Sequence, residues 1–341
     1  MEMNFESWNE TTSLPDGDEL KKIRKSLNQR NWKIVLTSLV LAIVLLLVGV
    51  YMIVPAVESL YWAPYTSDYI ENGNDLKLML EAHTELFHPG KKIQSVNAGD
   101  AGFASYDLSI TRTDTATKDK EYISGTLVRN TLELDYLFYD YSTERAFFSG
   151  NNSLPPEFLT HYREESTERL SGLPEYVTVK ALAFFPEDLT MEQIQKLLFK
   201  YNYDSRNGVD FQWIGVRNAA KDAENSLLSC GFSTDPGGYL EELNAFYPEL
   251  CRLTAKEDGS HLTEHFKSLL RFSADQLDKG RGLPIGTLHG NFYRDVLDYV
   301  EENDVMSYGC LVTGTPQGLQ SMLDDGTAST LILLDGWIDV D

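Results

Sequence analysis

Three cysteines in 341 residues are too few for a disulfide scaffold, and an odd number cannot all pair within one chain. Basic charge is also short: 29 Lys and Arg stand against 52 Asp and Glu, a formal charge of −23. Phosphate recognition needs a basic footprint, so this balance excludes nucleic acid as a partner for the bulk of the chain. A Walker loop, a dinucleotide GxGxxG and a GxSxG nucleophile elbow are all missing. With no nucleophile–base pair to assign, the sequence reads as a non-enzyme with no catalytic residues, no metal ligands and no cofactor. Internal repeats and low-complexity tracts are absent too. Apolar residues are not scarce: at 42% of the chain they suffice for ordinary cores, and the length suggests about two domains.

One segment lacks charge altogether. Ile34 to Val54 is 21 residues long and holds no Asp, Glu, Lys or Arg. At about 1.5 Å per residue it reaches across a hydrocarbon core of about 30 Å. Trp32 on one side and Tyr51, Tyr61 and Trp62 on the other are spaced like interfacial aromatics. Residues 20–33 carry Lys21, Lys22, Arg24, Lys25, Arg30 and Lys33 and no acid, whereas residues 55–75 carry Glu58, Asp68, Glu71 and Asp75 and no base. The positive-inside rule then puts the N-terminus in the cytoplasm and residues 55–341 outside. The apolar run exceeds a signal-peptide core and no small-x-small site follows it, so an uncleaved anchor is expected. The expected localisation is the cell membrane, in a single pass.

Residues 1–33 balance six acids with six bases, leaving 46 acids and 23 bases to the rest. This tail is too short for a core of its own. Asp18 could cap a short helix whose stripe is Leu20, Ile23 and Leu27, with Phe5 and Trp8 as further apolar anchors. Two readings stay open: a segment that folds on a cytoplasmic partner, or a disordered tail whose basic half touches anionic lipid. Cys230, Cys251 and Cys310 fall on the outer side, where Cys230 and Cys251 could bridge or all three could be buried thiols.

The outer part reads as α+β. After a helix from Asp75 to Leu86, broken at His88-Pro89-Gly90, residues 55–150 are β-rich: Tyr106 to Ile110 alternates at period two, as do Leu132, Leu134, Tyr136 and Phe138, and Lys118-Asp119-Lys120 fits a turn. Residues 151–172 form a linker and a charged helix. From 173 to 341 strands and helices alternate: Val177 to Phe185, a helix after Thr190 with Gln193 completing a capping box, Phe211 to Val216, helices near 236–247, 261–279 and 290–303, Tyr308 to Thr313, a helix opened by Thr315-Pro316, and Thr330 to Ile338. That β-α-β, helices, β-α-β order suggests a sheet domain, ferredoxin-like with a helical insert.

Single motifs weigh less. His261-Leu-Thr-Glu264-His265 matches the HxxEH letters of a zinc protease, with both imidazoles on one helix face, but five residues are a weak pattern and no third ligand is in view, so an acid-flanked, solvated helix start capped by Ser260 is expected instead. Asp324-Asp325-Gly326 fits a solvated turn rather than a calcium loop. Trp213 and Trp337 sit in apolar strands and are expected in the core, and Glu164-Glu165 and Glu301-Glu302 on solvated helix faces.

Several segments together resemble a known family. Leu86-Phe-His-Pro89-Gly90-Lys-Lys-Ile with Gly102-Phe-Ala-Ser-Tyr106-Asp-Leu, the run Leu189-Thr-Met-Glu-Gln-Ile-Gln-Lys-Leu-Leu, and above all Tyr308-Gly-Cys-Leu-Val-Thr-Gly314-Thr-Pro316-Gln-Gly-Leu are similar to the sigma factor regulator family of Gram-positive bacteria, its C-terminal module included. The basic cluster before the span fits that family's N-terminal module. The resemblance implies a membrane-bound anti-sigma factor: the tail holds an extracytoplasmic-function sigma factor and the outer part relays an envelope signal, with a second membrane protein as a further partner. Zinc-containing anti-sigma domains use a His and a CxxC on the cytoplasmic side. Residues 1–33 have neither, so the contact falls to Phe5, Trp8, Leu20, Ile23 and Leu27. The alternative is a membrane-anchored extracytoplasmic binding or envelope-assembly protein with no sigma-factor partner.

Overall fold

In a computed structural model of the chain, the described residues are 17–65, 74–135, 156–202, 208–219, 230–236, 241–279 apart from 252 and 255, and 291–338. They fall into two compact units, Met1–Leu60 and Tyr61–Asp341.

The described residues of the first unit are helical. α1 (Gly17–Val48) runs from the basic segment into the apolar one without a break, a π-turn follows at Gly49–Ile53, and α2 (Val54–Glu58) ends it. The π-turn has a local cause. Pro55 offers no N–H and its ring crowds the preceding turn, and the Val54 N–H bonds instead to the Gly49 carbonyl, five residues back. Arg24–Glu58 spans 35 residues, and none of its most apolar window is buried. A soluble helix of this composition would bury one side, so this is one candidate membrane helix by length and apolarity. Asp18 is not a cap: it lies inside the first turn of α1 and faces Lys21 at 3.7 Å.

The second unit holds a four-stranded and a five-stranded sheet, both antiparallel. α3 (Asp75–Phe87) starts at Asn74, whose side chain accepts the Lys77 N–H at 2.9 Å. β1 (Lys91–Gly102), β2 (Ser105–Asp114), β3 (Lys120–Val128) and β4 (Thr131–Leu134) then pair in chain order as a meander. Its apolar face packs on Leu76, Met79 and Leu80 of α3 and on Trp62. Trp62 is therefore a core residue of this unit, 4% exposed, and not an interfacial aromatic. Contacts with the small sheet hold this segment: the Asn130 side chain accepts the Trp62 backbone N–H, and the Tyr65 hydroxyl accepts the Ala98 N–H.

α4 (Pro156–Ser171) is the charged helix and precedes the larger sheet. β5 (Val177–Thr190), α5 (Met191–Asn202), β6 (Val209–Val216) and β7 (Cys230–Ser233) come before an insert made of a 3-10 turn at Glu241–Ala245, α6 (Ser260–Asp278) and α7 (Phe292–Asn303). β8 (Met306–Gly314), α8 (Pro316–Asp324) and β9 (Thr330–Ile338) close it. The strand order is β7-β6-β8-β5-β9, with β8 and β5 central.

Local chemistry sets these boundaries. Thr190 and Gln193 form the capping box, each side chain bonding the other's backbone N–H. The Thr315 hydroxyl accepts the Gly318 N–H at 3.1 Å, and Pro316 occupies the first helical position. β7 was not expected; four residues are too few for a visible alternation. Ser260 opens α6 rather than capping it, with Gly259 before it at φ +68° and Asp258 holding the Ser260 N–H. Trp213 is core at 1% exposure, but Trp337 is only half-buried, toward the end of edge strand β9. Tyr136 and Phe138 lie outside the described residues.

Candidate functional site

The expected partner stripe sits in α1. The backbones of Leu20 and Ile23 are helical there, Leu27 is exposed, and Lys21, Lys22, Arg24, Lys25, Arg30 and Lys33 are all exposed. The side chains of Leu20 and Ile23, and Phe5 and Trp8 entirely, lie outside the described residues.

The HxxEH residues are brought to one helix but engaged elsewhere. His265 is fully buried; its Nδ1–H donates to the Glu249 carbonyl at 2.8 Å and its Nε2 meets Glu85 Oε1 at 2.7 Å. His261 Nδ1 accepts the Lys256 N–H, and Glu264 pairs with Arg271 at 2.7 Å. Among the described residues no group of three or more His, Cys, Asp and Glu is placed to hold a metal. Cys230, Cys251 and Cys310 are free thiols; burial pushes Cys230 and Cys251 up to about 12.

The chemistry of the second unit concentrates where the two sheets meet. Inward positions of β2 run Leu108, Ile110, Arg112 and Asp114, so the buried face changes from apolar to charged along one strand. Asp114 meets Lys180 of β5 at 2.6 Å and Lys91 of β1 at 3.3 Å, and its other oxygen accepts the Ala116 and Thr117 N–H groups. Burial pushes the Asp114 carboxyl up, but Lys180 and those backbone donors outweigh it and hold it below its ordinary range. Glu121 ties the rest together through Lys91 at 2.7 Å and Arg112 at 2.8 Å. The His88-Pro89-Gly90 turn lies against this clamp. Gly90 has φ +70° and would place a Cβ 2.7 Å from Leu311 Cδ2, so a side chain here has neither the backbone nor the room. Its carbonyl accepts from both the backbone and the hydroxyl of Thr115.

Beside the clamp opens a polar cleft of about 570 Å³. Lys77 and Glu81 of α3, Lys92 of β1 and Lys118 of the β2–β3 turn line one side. Asp210 and Gln212 of β6 and Asp235 after β7 line the other. Two contacts cross it: Lys92 to Asp235 at 2.8 Å, and the Thr115 hydroxyl donating to Gln212 Oε1 at 2.7 Å. Glu81 is 5% exposed and pairs with Lys77 at 3.3 Å; its carboxylate oxygens accept no hydrogen bond. Burial pushes its pKa up to about 7 against the pull of Lys77, and burial together with nearby Asp235 raises that of Asp210.

The sequence reading missed this site. A usable signal was present, since Arg112 and Asp114 continue the period-two inward set of Leu108 and Ile110. The Asp114 partner Lys180 is 66 residues further along the chain, and the Gln212 that Thr115 bonds is 97, separations no local pattern spans.

Residues 170–329 match the family described as sigma factor regulator C-terminal. That range runs from the end of α4 through α8 and takes in four strands of the larger sheet and the helical insert, stopping just before β9. The match assigns this domain to the C-terminal module of sigma factor regulators and leaves residues 1–169 outside it. No curated protein and no solved structure matches it.

Proposed function

We propose that the chain is a membrane-anchored anti-sigma factor that acts by binding rather than by catalysis. The observation that carries this reading is the sigma factor regulator domain at residues 170–329, on a chain that also holds one apolar helix long enough to span a bilayer. The positive flank at residues 20–33 supports a cytoplasmic N-terminus and an extracytoplasmic remainder. In this arrangement residues 1–33 hold an extracytoplasmic-function sigma factor at the membrane, 34–54 span it, and the outer part relays an envelope signal, directly or through a second membrane protein. The β-α-β, insert, β-α-β order and the strand order β9-β5-β8-β6 support a ferredoxin-like reading of the C-terminal domain, with β7 as an added edge.

The contact is assigned to the Leu20, Ile23 and Leu27 stripe with Phe5 and Trp8, framed by exposed lysines and arginines. A reporter for a sigma-dependent promoter, in cells carrying the full chain, residues 1–60, or residues 55–341 behind a separate signal, tests the division of labour. Repression by 1–60 alone is expected, and alanine at Leu20, Ile23 and Leu27 together should abolish it. If neither the full chain nor 1–60 represses any candidate sigma factor, the protein is instead an envelope binding protein whose tail only sets topology.

A further inference from the structure

Asp210 and Asp235 of the larger sheet line the cleft with Lys77, Lys92 and Lys118, the last close enough to lower the pKa of the Asp210 carboxyl, and Glu81 and Asp114 stand among the lysines. The pair that does cross, Lys92 to Asp235, is weak by position, because the Asp235 side chain is 90% exposed and its ion pair stands in water. Glu81, also on the lining, is buried; Lys77 stands 3.3 Å from its Oε1, and neither oxygen accepts a well-formed hydrogen bond. A buried carboxylate that accepts no hydrogen bond is costly, and a donor entering the cleft would satisfy it. The volume of about 570 Å³ is that of a small-molecule pocket.

We infer that this cleft binds a small zwitterion, an amino acid or short peptide with free ends, its ammonium on Asp210 and Asp235 and its carboxylate on Lys92 and Lys118. Thr113, Thr115, Ser233 and Gln212 add hydroxyl and amide groups for the ligand's backbone. Glu81 accepts an N–H while Lys77 stays beside it. Because Lys92 and Asp235 belong to different sheets, a zwitterion seated between them bridges the sheets across the cleft in place of their direct pair. The assignment rests on the cleft alone and holds whether or not the tail binds a sigma factor.

The test uses the full chain in lipid nanodiscs, titrated calorimetrically with alanine and dialanine and with N-acetyl and C-amide dialanine. Saturable binding of alanine or dialanine is expected, with each end cap weakening dialanine at least about tenfold. Asp210→Asn with Asp235→Asn should reproduce the loss caused by the N-acetyl cap and leave the residual affinity of N-acetyl dialanine unchanged. Lys92→Gln with Lys118→Gln should do the same for the C-amide form. These four positions lie on the cleft walls outside the apolar cores, and an unchanged melting temperature of each variant certifies its fold. No saturable binding of either probe at millimolar concentration, or binding indifferent to capping or to both double variants, overturns the assignment.

Discussion

Glu81 shows how one buried side chain sets a pH response. Burial carries its carboxyl from an ordinary 4.5 to about 7, with Glu85 adding to the rise and Lys77 opposing it. Between those values the folded chain keeps a proton that the unfolded chain has lost. Stability therefore falls as pH rises through this window, and the cost is complete above about pH 7. Glu81→Gln is neutral throughout, so its unfolding free energy from denaturant titration should exceed that of the parent above pH 7, by up to about 3 kcal/mol, and match it near pH 4.5. Gly309 is a residue of another kind. A Cβ there would stand 2.5 Å from the Ala183 carbonyl on the neighbouring strand, so Gly309→Ala should cost about 2 kcal/mol or more, seen as a lower melting temperature. That clash gives a physical reason for glycine in the Tyr308-Gly309-Cys310 segment.

Among the elements, α8 and α5 were legible because their starts are written in adjacent residues. Thr315-Pro316 and Thr190 with Gln193 each satisfy helix N–H groups within three residues of chain. Thr315→Ala should therefore destabilise the protein by about 1 kcal/mol, and Thr315→Ser should restore most of it, both measured by chemical denaturation. The strand β5 was less legible. It continues to Thr190, past the expected end at Phe185, because β8 resumes pairing at Leu189 and Thr190 after a register shift. β7 exists only by pairing with β6, and nothing within its four residues announces it.

Over the molecule, α3 is the shared part. Its Leu78, Ala82, Leu86 and Phe87 enter the larger core while Leu76, Met79 and Leu80 enter the smaller one, so neither sheet packs fully without it. Lys180 and Asp114, both under a tenth exposed, fasten the same junction. Calorimetry should accordingly show one transition for Tyr61–Asp341. Lys180→Met should lower it by about 3–5 kcal/mol, the cost of leaving a buried carboxylate short of a partner, with Lys91 keeping the loss toward the lower figure.

The sequence by itself determined the apolar helix, its basic flank, the α+β alternation and the starts of α5 and α8, since each depends on residues within one or two turns of each other. The tertiary structure alone decided what Trp62, His265 and Asp114 do. Trp62, beside the apolar segment, was expected at the membrane interface, yet lies in a core with Leu76 and Leu108. His265 matched a metal motif and is used by Glu85, 180 residues away. Asp114 and Lys180 became a clamp, and Lys92 and Asp235 the facing sides of a cleft, only when two sheets met. Local pattern reports hydrogen bonding and periodicity along the chain; which charges end up buried together depends on strand order and packing, which bring distant residues within 3 Å.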